Sequence, residues 1–456
     1  MRQPTPSPAA PRARRAPAPR GRHRPPRRPG LRGTGLVLGL IVTATTALTA
    51  CGDGSGSSGS GGATTTTVSS PASVTPTSAT PSPTATSASP SRTAAPPPAT
   101  SATAKPASCV DKAVAGMSRT QQVGQLFMTS VTSTGMTSAQ SSAITAGRVG
   151  SVFLMGHTNS GTAAVKRVTD QVRKLAPSVK GAKVGMLVST DQEGGRVQVL
   201  NGPGFSTIPT AVDQGKLPAA TLQKDAEKWA RELKSAGVTM NLAPVADTVP
   251  PDLTNVNAPI GKLQREYGTN PSAVATHSTA FLRGTLDAGL LASPKHFPGL
   301  GRVTGNTDFT LGVTDDVTTR NDAYLQPFRS AVSAGAPFVM VSSAIYSKID
   351  PHNQAAFSSA VIRGMLRDSL GFKGAVISDD LGQAAAVSDR TPAERAVDYL
   401  KAGGNLLLTV KASDIAPMTS AVLAQMPKDK VLANAVSDSV RRVLAAKQKV
   451  GLLSCG

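Results

Sequence analysis

Cysteine and histidine are scarce: the 456-residue chain has three of the first and five of the second, with no HExxH or CxxC spacing. That excludes the usual zinc-enzyme and dithiol redox layouts, which need clustered ligands or paired thiols. A Gly-rich phosphate turn is also missing. Gly299, Gly301 and Gly305 are wrongly spaced for one and no lysine follows them, which excludes a nucleotide loop. Acidic residues are absent from residues 1–50, which hold ten arginines. Nearly half of the formal net charge of +21 is therefore concentrated in the leader, and no nucleic-acid partner is expected. At this length the chain can bury a sizeable core without disulfide staples.

What is present falls into three parts. Residues 1–32 are rich in Arg and Pro, 33–50 form a short apolar stretch containing Thr and Gly, and small residues precede Cys51. This is the anatomy of an export signal, too short for a comfortable membrane span. Leu48, Thr49, Ala50 and Cys51 resemble a bacterial lipobox, which makes Cys51 the lipidated first residue of the mature protein; an ordinary cleaved signal is the alternative. Paired arginines at 14–15 and 27–28 lack a surrounding twin-arginine motif, so the export route stays open. Residues 51–106 are almost wholly Ser, Thr, Pro, Ala and Gly and cannot form a core. As a disordered, lipid-anchored linker they would average roughly 40 Å end to end and reach about 170 Å drawn out.

Residues 107–456 alternate between short β runs and amphipathic helical patterns, the mark of an α/β domain. Strand-like runs fall at 149–156, 184–190, 238–245, 291–297, 338–345, 374–378 and 405–410; an eighth is not evident. Between them apolar residues recur at three and four, as in Val165, Val168 and Val172, or Leu222, Ala226, Trp229 and Leu233. That spacing places Trp229 in the core. Thr391, Pro392 and Glu394 predict a helix start, and Gly403-Gly404 its end. A TIM-type (β/α)8 barrel with one irregular strand is the expected fold.

In such a barrel the chemistry gathers where strands end. Asp191 follows the second run, Asp247 the third, Lys295 and His296 end the fourth, and Ser378, Asp379 and Asp380 follow the sixth. No Ser/His/Asp set stands in recognisable context, so carboxylates are the candidate reactive groups, and paired carboxylates point to glycoside hydrolysis. Each residue also has a structural alternative: Asp379 as a helix cap, Asp247 as a barrel residue, Lys295 and His296 as salt-bridged packing.

The strings STDQEGGRV at 189–197, KHFPG at 295–299 and VISDDLG at 376–382 together resemble glycoside hydrolase family 3, specifically its single-domain β-N-acetylhexosaminidase branch. VGQLF at 123–127, MNLAPVAD at 240–247, IGKLQREYG at 260–268 and LRDSLGFKG at 366–374 extend the likeness across the domain. The resemblance implies a modified TIM barrel that retains anomeric configuration through a covalent glycosyl-enzyme. It implies Asp379 as nucleophile, and Asp191, Arg265, Lys295 and His296 as holders of the terminal sugar. No cofactor or metal is implied.

One departure stands out. The branch normally supplies an Asp-x-His dyad after KHFPG, its histidine being the general acid/base, whereas this chain reads LGRVTGNTDF. Asn306 takes the place of the dyad's Asp, and Asp308 that of its His. An Asp with a solvated pKa near 3.9 can donate a proton near neutrality only if that pKa rises. Asp308 is therefore read as the acid/base on a loop, with a structural loop cap as the alternative.

Export permits disulfides, and with Cys51 lipidated, Cys109 and Cys455 remain to pair, two buried thiols being the alternative. The expected protein is a monomer held on the outer membrane face, trimming terminal β-linked N-acetylglucosamine from peptidoglycan fragments or wall glycans. A non-catalytic glycan-binding protein and a β-glycosidase of other specificity are the rival readings.

Overall fold

In the computed structural model, residues 107–456 are described. The expected signal segment, Cys51 and the Ser/Thr/Pro stretch lie outside the described residues. The central strands are β1 (Phe127–Thr132), β2 (Ser151–Met155), β3 (Leu187–Thr190), β4 (Met240–Asn241), β5 (Leu291–Ala292), β6 (Phe338–Val341), β7 (Ala375–Ser378) and β8 (Leu407–Thr409). Six of them form one parallel sheet in the order β8-β1-β2-β3-β4-β5, and β6 pairs in parallel with β7. Single bridges continue the pairing at both gaps. Phe297, beyond β5, pairs with Val341, its N–H donating to Met340 O at 2.8 Å; Ile377 pairs with Leu406, and the Ser378 N–H donates to Leu406 O at 3.0 Å.

Parallel strands need long crossovers, and helices fill them. The helix Gly161–Arg173 buries Val165, Val168 and Val172, the predicted stripe, while Lys166 and Asp170 pair at 2.7 Å on the wet face. Ala219–Ser235 buries Leu222, Ala226, Trp229 and Leu233. The Trp229 ring lies 6.1 Å from Phe281 of the neighbouring helix Pro271–Asp287, so it is core as predicted. Each such side chain stabilises the domain by about 1.5–3 kcal/mol when fully buried. Thr391 and Glu394 form the predicted capping box of the helix Pro392–Ala402, which Gly403 ends at φ 112°, a conformation that favours glycine.

Two apolar layers follow from the alternation of side chains along a strand. Met128, Phe153, Leu187, Met240, Leu291, Phe338, Ile377 and Leu408 share one cluster on the inner side of the strands. Their alternates, including Phe127, Val152, Val188, Val339 and Val376, pack outward with the helices. At the amino ends of the strands the helix Lys430–Lys449 adds Val443 and Ala446 to the inner cluster. Its fully buried Lys447 donates to Gln125 Oε1 at 2.6 Å, Gly150 O at 2.7 Å and Gly185 O at 2.9 Å.

β1 is the strand the sequence left unread. Its alternation is interrupted by Thr129 and Ser130, both buried, so it lacks the apolar run that marks its neighbours. The stretch read as a strand over 238–245 pairs regularly only at Met240–Asn241, and Pro244 brings no N–H to a ladder. A disulfide joins Cys109 to Cys455 across 346 residues. No helix among the described residues is long and apolar enough to cross a membrane.

Candidate active site

The carboxyl ends of the strands converge on a cavity of about 740 Å³, within the range of small-ligand sites. Phe153, Leu242, Met340 and Leu408 give it an apolar floor. Asp191, Arg265, Lys295, His296, Asp308 and Asp379 all reach it, so the structure brings the six predicted sugar-site residues together.

An ion-paired wall organises one side. The Lys295 ammonium, with its side chain only 3% exposed, lies 2.6 Å from both Asp191 Oδ1 and Glu193 Oε1. Glu193 in turn accepts from Arg265 Nε at 2.8 Å and from a second guanidinium nitrogen at 2.7 Å, while Arg265 also donates to Pro259 O at 2.8 Å. Burial opposes ionisation of Glu193, but Arg265 and then Lys295 outweigh it and hold the carboxyl down to about 2. Burial likewise opposes the charge of Lys295, and Asp191 and Glu193 reverse that, raising its pKa. Sequence reasoning missed Glu193. It stands inside the quoted STDQEGGRV string, but its role depends on partners that only the fold brings near. Much of the Arg265 guanidinium is committed to Glu193, so the hydroxyl-facing groups of this wall are chiefly Asp191 and Lys295.

His296 is oriented from behind. Its Nδ1 lies 2.7 Å from Asp247 Oδ2, and Asp247 Oδ1 accepts the backbone N–H groups of His296 and Leu300 at 3.1 and 2.8 Å. Asp247 is fully buried and fixes the ring and the loop that follows it.

Asp379 and Asp380 divide two tasks. The carboxylate of Asp380 accepts N–H groups from Gly382 at 2.8 Å, Val410 at 2.9 Å and Gln383 at 2.7 Å, so it caps the turn after β7. Burial raises its pKa against those three bonds. Asp379 is anchored through its own N–H on Val341 O at 3.1 Å, and its Oδ1 accepts only the next residue's N–H, at 2.9 Å. The capping alternative for Asp379 thus falls to its neighbour, and the Asp379 carboxylate is left to the cavity.

Asp308 sits on the loop after β5. Asn306 Oδ1 accepts its N–H at 2.9 Å, and two backbone bonds tie the loop to the segment after β7: Ala385 N–H to Asp308 O at 3.1 Å and Ala386 N–H to Thr307 O at 3.0 Å. Enclosure by protein, then the Asp379 carboxylate, raise the Asp308 pKa to about 6, with His296 and Arg265 pulling the other way. The residue keeps water access at the rim, which screens the repulsion until a ligand fills the cleft. Asp308 therefore does bring a second carboxyl, less acidic than usual, to the cavity that holds Asp379.

An α/β scaffold whose parallel strands open on an ion-paired, sugar-sized cavity lined by the two carboxyl groups of Asp379 and Asp308 defines a glycoside hydrolase. Residues 119–446 match the glycosyl hydrolase family 3 N terminal domain, and the chain belongs to that family. It is similar to a β-hexosaminidase of Stenotrophomonas maltophilia, 34% identical over 250 residues that cover 52% of this chain and 71% of the relative. Among solved structures, a β-N-acetylhexosaminidase from Beutenbergia cavernae is 47% identical with a TM-score of 0.71, covering 73% of this chain and 99% of that one. A family 3 β-N-acetylglucosaminidase from a Paenibacillus species is 28% identical with a TM-score of 0.65, over 74% of this chain and 63% of the other.

Proposed function

We propose that the protein is a retaining, exo-acting β-N-acetylhexosaminidase whose two working groups are Asp379 and Asp308. The hexosaminidase activity rests on the relatives above. One observation carries the mechanism: Asp308 shares a cavity with Asp379, and its pKa is raised by enclosure and by that neighbour. In the first step an Asp379 oxygen bonds to C1 of the terminal sugar while the glycosidic C1–O bond breaks, and the Asp308 proton passes to the leaving oxygen. In the second, Asp308, now a carboxylate, takes a proton from water as the water oxygen bonds to C1 and the Asp379 ester breaks. Two inversions leave the β configuration unchanged. Asp191, Lys295 and His296 hold the sugar hydroxyls, with Arg265 and Glu193 keeping the wall charged and aligned.

A panel of para-nitrophenyl β-glycosides tests this reading. The wild type should release nitrophenol fastest from the N-acetylglucosaminide, and Asp379→Ala should abolish turnover. Binding of the same glycosides without turnover by the wild type would instead make the protein a glycan-binding module, and preference for another sugar would make it a β-glycosidase of that specificity.

The scaffold reading extends to a closed (β/α)8 barrel, supported by the bridges that join β5 to β6 and β7 to β8. Amide exchange at Phe297 and Ser378 as slow as within β1–β3 is the expected result; fast exchange there would leave the ring open. The leader supports export, lipidation at Cys51 and a place on the outer face of the membrane, where terminal N-acetylglucosamine of peptidoglycan fragments or wall glycans is the substrate within reach of the tether. Incorporation of labelled fatty acid that persists in Cys51→Ala would refute the anchor.

A further inference from the structure

The chain has ten Phe, four Tyr and one Trp, and among the described residues Phe309 is the only one of these that is exposed. It is 81% exposed, and Leu311, two residues on, is 55% exposed. Core packing does not hold the ring there. Yet its backbone is not loose: the Phe309 N–H donates to Asn306 O at 3.0 Å, and the adjoining Thr307 and Asp308 carbonyls are pinned to Ala386 and Ala385. The ring is thus an apolar group presented from a tied turn, at the rim of the same cavity that Asn306, Thr307 and Asp308 line.

The position has a chemical meaning. A general acid must reach the glycosidic oxygen, so the leaving group departs past the residue that protonates it. On the proposed mechanism the terminal sugar belongs to the apolar floor of Phe153, Leu242, Met340 and Leu408 and to the ion-paired wall. What emerges beside Asp308 meets Phe309 next. A flat, exposed aromatic face suits the C–H face of a pyranose, which is apolar and sheds water on stacking.

We infer that Phe309 is the platform for the leaving-group sugar, making the enzyme selective for N-acetylglucosaminides whose aglycone is itself a pyranose. This deepens the glycosidase reading and rests on it. The pair of substrates that tests it differs only beyond the scissile oxygen: the β-linked disaccharide of N-acetylglucosamine, and trifluoroethyl β-N-acetylglucosaminide, whose aglycone has no ring to stack.

Phe309→Ala should lower kcat/KM for the disaccharide by roughly ten-fold or more while leaving the trifluoroethyl glycoside within about two-fold of wild type, and Phe309→Trp should restore the disaccharide rate. An equal loss on both substrates would mean that the ring acts only by placing Asp308, and no loss on the disaccharide would remove it from recognition; either result overturns the platform. Should the wild type turn over neither glycoside, the glycosidase reading itself fails. Calorimetry with the sulfur-linked disaccharide then decides the platform separately: roughly ten-fold weaker binding by Phe309→Ala supports it, and equal affinity overturns it.

Discussion

Replacing Asp308 with Asn removes the proposed proton donor while keeping its size. The structure sets the size and shape of the expected effect. Asp308 is held beside Asp379 by the Ala385 and Ala386 N–H groups, bonds made to backbone carbonyls that the substitution leaves intact. The loss is therefore one of proton transfer, which contributes about 10²–10⁴-fold, or about 3–5 kcal/mol of barrier, for a poor leaving group. For dinitrophenyl N-acetylglucosaminide, whose phenolate leaves without help, the first step should slow little. The second step still lacks its base, so the glycosyl-enzyme should accumulate, and azide, which needs no deprotonation, should rescue turnover as glycosyl azide. The pH profile should change too. A raised pKa keeps the acid protonated to higher pH, so wild-type kcat/KM on poor leaving groups should fall as pH rises through about 6. The Asn variant should lose that alkaline limb. Wild-type rates on a poor leaving group, or an unchanged pH profile, would refute the reasoning.

Other perturbations probe the scaffold. Glu193→Gln strands Arg265 as a buried cation and leaves Lys295 with Asp191 alone, and should cost about 3–5 kcal/mol in urea unfolding along with most of the activity. Burial depresses Lys447 to about 7, so between there and its ordinary value near 10.5 the unfolded chain binds the extra proton and wild-type stability should rise with pH; Lys447→Met should flatten that segment of the difference curve. Reducing the Cys109–Cys455 bond, which closes a loop of 346 residues, should lower the urea midpoint by an amount equivalent to about 2–5 kcal/mol, with the active site unaffected below the transition.

The strands and helices whose pattern is local are legible in the sequence. The Thr391 capping box and the stripe through Val165, Val168 and Val172 depend on neighbours within a turn or two, and they stand where their spacing put them. β1 was not legible, because its buried Thr129 and Ser130 find their surroundings only when β2 and β8 flank them. The site divides in the same way. Asp191, Lys295, His296 and Asp379 end apolar runs and could be listed from that alone, and all reach one cavity. Glu193 could not be singled out, since Arg265 lies 72 residues away in sequence and its charge acquires meaning only in contact. The division between Asp379 and Asp380 was equally hidden: adjacent identical residues differ only in which N–H groups the folded turn aims at them.

Mechanism-based labelling of Asp379 tests the central claim most directly. A 5-fluoro N-acetylglucosaminyl fluoride should form a slowly hydrolysed ester, and peptide mass spectrometry should find the sugar on Asp379, with none on Asp380 or Asp308. A label on either of those carboxylates, or an active enzyme that turns over the reagent without ever carrying the sugar, would contradict the account.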